Sequence, residues 1–104
     1  MNVITLTGRL LDEPARVDTG KGVKTTFALD VDGRRRLRIP ITAWNHLAGT
    51  CATHLVRGRL IAVTGRLDHE EYTTHDGSKR ERWLVTATAV TFLDPPPETG
   101  EERP

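Results

Sequence analysis

A single cysteine, Cys51, a single serine, Ser78, and only two Trp, one Tyr and two Phe stand in 104 residues. One cysteine excludes an internal disulfide framework and fits a reducing compartment. Ser78 falls in a turn and Cys51 on the apolar side of a helical pattern, so neither is a supported nucleophile and no catalytic residue is assigned. A Gly-x-Gly-x-x-Gly or Walker-type loop is missing, which leaves a nucleotide cofactor without support. Cys51 and His54 form a Cys-x-x-His pair, with His69 and His75 farther along, but four convergent ligands are wanted for zinc. Cys51 reads as a small core residue and the histidines as exposed, so neither metal nor cofactor is expected. No apolar run is long enough to span a bilayer, and Met1-Asn2 leads directly into a strand pattern without a cleavable leader. The expectation is a cytoplasmic protein with no membrane partner.

Charge of one sign is also scarce overall, yet unevenly spread. Residues 94–104 hold Asp94, Glu98, Glu101 and Glu102 against Arg103, so of the net charge of +1 the tail takes −3 and the rest of the chain +4. Most of the basic residues are arginine, the side chain suited to bidentate phosphate contacts and to stacking on bases.

What is present is strand periodicity, punctuated by a repeated tetrapeptide. Thr7-Gly8-Arg9-Leu10 and Thr64-Gly65-Arg66-Leu67 each close an alternating apolar run. A glycine inside a strand marks a bulge, a bend or a close backbone approach, and two of them suit a strongly curled barrel. Five strands and one helix follow from the periods. Ile4, Leu6 and Leu10 share a face of the first strand. In the second, Val23, Phe27, Leu29 and Val31 alternate with Lys24, Thr26, Ala28 and Asp30. Between them, residues 12–22 read as turn chemistry around Pro14, Gly20 and Gly22. A third strand runs from about Arg36 to Trp44, with Pro40 placing it at an edge or a bulge. Leu47, Cys51 and Leu55 then recur at helical spacing, with Asn45 to cap the start and Gly58 to stop the end. A fourth strand, 59–68, turns Ile61, Val63 and Leu67 inward and continues through Glu70 to Thr74. Asp76-Gly77 signals a hairpin, and a fifth strand returns from Glu81 to Leu93. Asp94-Pro95-Pro96-Pro97 ends the sheet. The expected domains are therefore a β-barrel over 1–93 and a short Pro/acidic disordered tail over 94–104. Five curled strands with one helix between the third and fourth is the layout of the OB-fold, an all-β class whose open face binds oligonucleotides or oligosaccharides.

The candidate site is basic and aromatic. Arg34, Arg35, Arg36 and Arg38 cluster where the second strand turns into the third, and Lys79, Arg80 and Arg82 cluster at the last hairpin. Trp44, Tyr72 and Trp83 are interleaved with them. A basic groove with aromatic platforms holds single strands without reading sequence. Trp83 has two readings, a platform or a buried residue alternating with Val85, Ala87 and Ala89. Phe27 and Phe92 read as core.

These residues also carry a resemblance. Residues 2–10, then Pro14, Thr19, Gly22 and Phe27-Ala28-Leu29, look like the start of a bacterial single-stranded DNA-binding protein. The likeness continues through Trp44, Leu47-Ala48, 55–58, 63–67, Tyr72 and Asp76-Gly77, nearly the whole span from Asn2 to Leu93. It implies an OB-fold that assembles as a homotetramer, with a dimer as second choice, and wraps single-stranded DNA in replication, recombination and repair, in association with the nucleoid. Trp44 and Tyr72 match stacking aromatics, and Arg38 stands where the family usually has a stacking tryptophan. The loop 32–36 is shorter than usual. The long Gly/Pro/Gln-rich linker and the acidic, aromatic-ended tip are missing, so tail-mediated recruitment has no matching sequence here. An alternative of similar fold and size is primosomal replication protein N, a dimeric adaptor that bridges DNA and helicase-loading proteins.

Overall fold

The computed structural model describes residues 1–31 and 36–93. Their elements, in order, are β1 (Ile4–Leu10), β2 (Ala15–Thr19), β3 (Gly22–Val31), β4 (Leu37–Trp44), α1 (Asn45–His54), β5 (Leu60–Thr73) and β6 (Lys79–Phe92). The strands lie in the order β1-β5-β6-β4-β3-β2, and β1 also pairs with β3. That extra pairing closes β1, β5, β6, β4 and β3 into a ring, with β2 appended to the outer part of β3. This is the five-stranded curled barrel that the periods predict, with the helix between its third and fourth ring strands.

The sixth strand is a correction. The stretch read as turn chemistry contains β2, whose Ala15 to Thr19 pair with Thr26 to Gly22 of β3. β2 is almost wholly exposed, so it lacks the apolar alternation by which a half-buried strand is recognised. β1 and β2 flank β3 on one side, Leu10 opposite Leu29 and Ala15 opposite Thr26. They act as two halves of one strand broken around Asp12-Glu13-Pro14.

The repeated glycines explain the curl. A Cβ on Gly8 would lie 2.2 Å from the carbonyl oxygen of Asp30, and one on Gly65 would lie 2.1 Å from that of Thr86. Both are closer than any real side chain approaches a carbonyl, so strands cross there only because Cβ is absent. At Gly8 the strand β1 is shared between β5 and β3. At Gly65 the β5–β6 register shifts, Thr64 facing Ala89 and Gly65 facing Ala87. The additional residue, Thr88, makes β6 bend around the barrel.

Inside the ring, Leu10, Phe27, Leu29, Ile41, Ile61, Val63 and Val85 form the core. α1 packs against β2, β3 and β4, burying Ala48 and Cys51. The buried Thr25 hydroxyl donates to the carbonyl of Ala48 at 2.8 Å, tying helix to sheet. Burial pushes the Cys51 thiol up to about 11, as expected for a core sulfur.

Three further expectations change. Asn45 does not cap α1. Trp44 holds the extended capping position without a side-chain bond, while Asn45 is the first helical residue at φ 55°. Its amide fills the space beside Gly22, where a Cβ would meet Oδ1 at 2.5 Å. The helix ends at His54, with the Leu55 amide donating to the Cys51 carbonyl. Gly58 instead serves the next turn, at φ 87°, its amide donating to the Leu10 carbonyl at 2.9 Å. Leu67, assigned inward, is 45% exposed, because β5 leaves the barrel beyond Gly65 as part of a projecting ribbon. No helix among the described residues is long and apolar enough to cross a membrane.

Candidate nucleic-acid interface

Strand register decides which side chains share the open face. On β4 the even-numbered residues Arg38, Pro40, Thr42 and Trp44 point away from the core that receives Ile41 and Ala43. Across the β3–β4 ladder they stand opposite Asp30, Ala28, Thr26 and Lys24. Lys24 Nζ lies 5.8 Å from the centroid of the half-buried Trp44 ring, a cation beside the face of an aromatic platform.

The other wall comes from the ribbon. β4 meets β6 in parallel at Ile41–Val85 and Thr42–Thr86, so Thr86 shares the face of Thr42. From Thr86 the alternation continues through Leu84, Arg82 and Arg80. Their β5 partners on that face are Arg66, Asp68, Glu70 and Tyr72. Tyr72 stands opposite Arg80 and is 47% exposed. Where β4 and β6 part company a groove opens, lined among others by Asp12, Thr26, Ala28, Arg38, Pro40 and Arg82.

Of the ten candidate residues, register therefore brings Trp44, Tyr72, Arg38, Arg80 and Arg82 to one face. Arg36 lies at the entry to β4, hydrogen-bonded to Asp30 of that face, a contact that raises its pKa. Lys79 and Trp83 stand on the opposite side of the ribbon, with Thr73 and His69 as cross-strand partners. Trp83 is 60% exposed and packs against the His69 ring at 4.7 Å between centroids. It is neither in the core nor beside Trp44. Arg34 and Arg35 lie outside the described residues, as do residues 94–104.

Two cations of this face were not singled out from sequence, Lys24 and Arg66. Lys24 sits in the polar phase of its strand and so was legible as outward. Its pairing with Trp44 depends on register, which no local pattern states. Arg66 lies 3.7 Å from Asp68. Hydrogen bonds from the His69 amide and the Thr86 hydroxyl hold the Asp68 carboxyl below its ordinary range.

Comparison with known proteins bears on the same span. The Single-strand binding protein family matches residues 1–93. The chain belongs to that family. A single-stranded DNA-binding protein of Caldanaerobacter subterraneus subsp. tengcongensis is 39% identical over 106 residues, covering 91% of this chain and 69% of the relative. One from Clostridium tetani is 34% identical over 103 residues, covering 90% and 71%. The crystal structure of a small single-stranded DNA-binding protein from Streptomyces coelicolor superposes with a TM-score of 0.73 at 23% identity, covering 89% of this family member and 96% of that chain. That likeness concerns the fold. None of these findings favours the adaptor alternative.

Proposed function

We propose that this chain is a non-catalytic module that binds single-stranded DNA without reading its sequence, in replication, recombination and repair. The observation that carries the reading is the register that sets Trp44 and Tyr72 on one face with Arg38, Arg80 and Arg82, within the fold of a family whose named relatives are single-stranded DNA-binding proteins. The arginines neutralise phosphates, and the two rings offer π-faces to unstacked bases. A duplex hides those base faces and keeps its phosphates at another spacing, so it binds less well. The working unit is a homo-oligomer, a tetramer first and a dimer second.

The test is a titration of intrinsic tryptophan fluorescence with oligo-dT at several salt concentrations, using Trp83→Phe so that Trp44 alone reports. Affinity falls with salt at a log-log slope of about −0.7 per phosphate contacted. Duplex DNA of equal length binds more weakly, and oligo-U run alongside fixes the preference between DNA and RNA. Equal affinity for duplex and single strand across the salt series would refute the proposal.

A further inference from the structure

The cations of this face already face anions. Arg38 Nη2 is 3.9 Å from Asp12 Oδ2, and Arg82 Nε donates to Glu70 Oε2 at 2.6 Å. Arg36 is bonded to Asp30 and Arg66 faces Asp68. These pairs are solvent-exposed, the Arg38 and Asp12 side chains at 67% and 57%, and exposed pairs add little to folding. Their position gives them another consequence. Asp12, Arg38 and Arg82 line one groove, and Glu70 shares a ribbon face with Tyr72. A phosphate entering there competes with Glu70 for the Arg82 guanidinium donors and with Asp12, an ion pair beyond hydrogen-bond distance, for the charge of Arg38.

We propose that Asp12 and Glu70 are competitors built into the binding face, affinity-limiting residues that a phosphate must displace from Arg38 and Arg82. The proposal rests on the reading of this face as the DNA interface. Each arginine contact then becomes an exchange, carboxylate out and phosphate in. A displaced carboxylate gathers cations from solution, which offsets the counterions released from the nucleic acid. Affinity is lower and the salt slope shallower than the arginines alone would give. Asp12 is placed for this by the break between β1 and β2, which swings the chain to the groove wall. Glu70 is placed by the cross-strand pairing that sets it opposite Arg82.

The experiment compares wild type, Asp12→Asn, Glu70→Gln and the double variant for oligo-dT affinity and salt slope. The control is Glu71→Gln, which removes the same charge from the opposite face of the ribbon. Asn and Gln keep the shape, and thermal melts beside the titrations verify folding. Each single variant tightens binding about threefold and the double variant about tenfold at 0.1 M salt, the scale of an exposed ion pair. The slope steepens by roughly 0.7 for each arginine freed, while Glu71→Gln stays near wild type. Unchanged or weaker binding by the folded double variant, with wild type binding normally, overturns the proposal and makes the carboxylates supports of the arginines. An equal gain in Glu71→Gln also overturns it, because bulk charge would then be the cause. Failure of every protein, wild type included, to bind oligo-dT would sink the DNA-binding reading beneath it.

Discussion

Trp44 and Tyr72 reach their common face from different strands, and neither belongs to the barrel core. Trp44→Ala and Tyr72→Ala are therefore expected to weaken oligo-dT binding by about 1–3 kcal/mol each, the usual value of a stacking platform. Melting temperature should stay within a few degrees of wild type. Loss of folding in step with loss of binding would make the rings structural. Gly8 and Gly65 behave in the opposite way. An added Cβ at either would strike backbone carbonyl, which cannot rotate aside as a side chain would. Gly8→Ala or Gly65→Ala should cost at least the ~1–3 kcal/mol typical of overpacking, read from denaturant melts. These glycines were legible in sequence, since a glycine that interrupts a strand pattern twice in the same tetrapeptide calls for a close approach. The side of the ribbon on which Trp83 lies was not. Its alternation with Val85 and Ala87 places it in the core-facing phase, but β6 has left the barrel at that point and the same phase faces solvent.

At the level of elements, the ribbon of β5 and β6 is anchored by its turn. The Asp76 carboxylate accepts from the Thr74 hydroxyl and from the Ser78 amide at 3.0 Å, and Gly77 supplies φ 86°. Those hydrogen bonds hold the Asp76 carboxyl down to about 2, from an ordinary 3.8. A depressed carboxyl stabilises the folded turn above its unfolded pKa, and that contribution disappears as pH falls from about 4 towards 2. Protection of the amides in 74–78, taken as exchange relative to the intrinsic rate at each pH, should fall over that window in wild type and be low throughout in Asp76→Asn. A protection profile that does not change with pH would show that the turn holds without the carboxylate. Asp76-Gly77 was legible because few residues tolerate a positive φ. β2 was hidden by its exposure, and the start of α1 by a tertiary event, the fit of Asn45 against Gly22, which overrides the usual capping role of asparagine.

For the molecule as a whole, the ring leaves edges open. Ile4 to Thr7 of β1 pair only with β5, and β2 pairs only with β3 among the described residues. Open edges are shielded when another copy pairs with them. Sedimentation at tens of micromolar should therefore show self-association, and a monomer would refute it. Barrel class was readable from the order of strands and helix. Which strands meet was not, because Asn2 bonds to the backbone of Leu67 across 65 positions and no local period reports so distant a partner.

The ring is unevenly sewn. Long ladders join β1 to β5 and β5 to β6 on one side, and β3 to β4 and β2 on the other. Among the described residues, strand pairing joins the two sides along Gly8 to Leu10 with Val31 to Leu29, continued by the Leu11 amide on the Ala28 carbonyl, and at Ile41 and Thr42 with Val85 and Thr86. Short ladders are where structure yields first, so the barrel has the mechanics of two leaves joined by two thin seams. The groove opens beside the β4–β6 seam, with the β1–β2 turn, β3 and β4 on one side and Arg82 of β6 on the other. The second seam runs through Gly8, where backbones touch with no side chain between them, so the barrel is held shut at one seam by backbone contact alone.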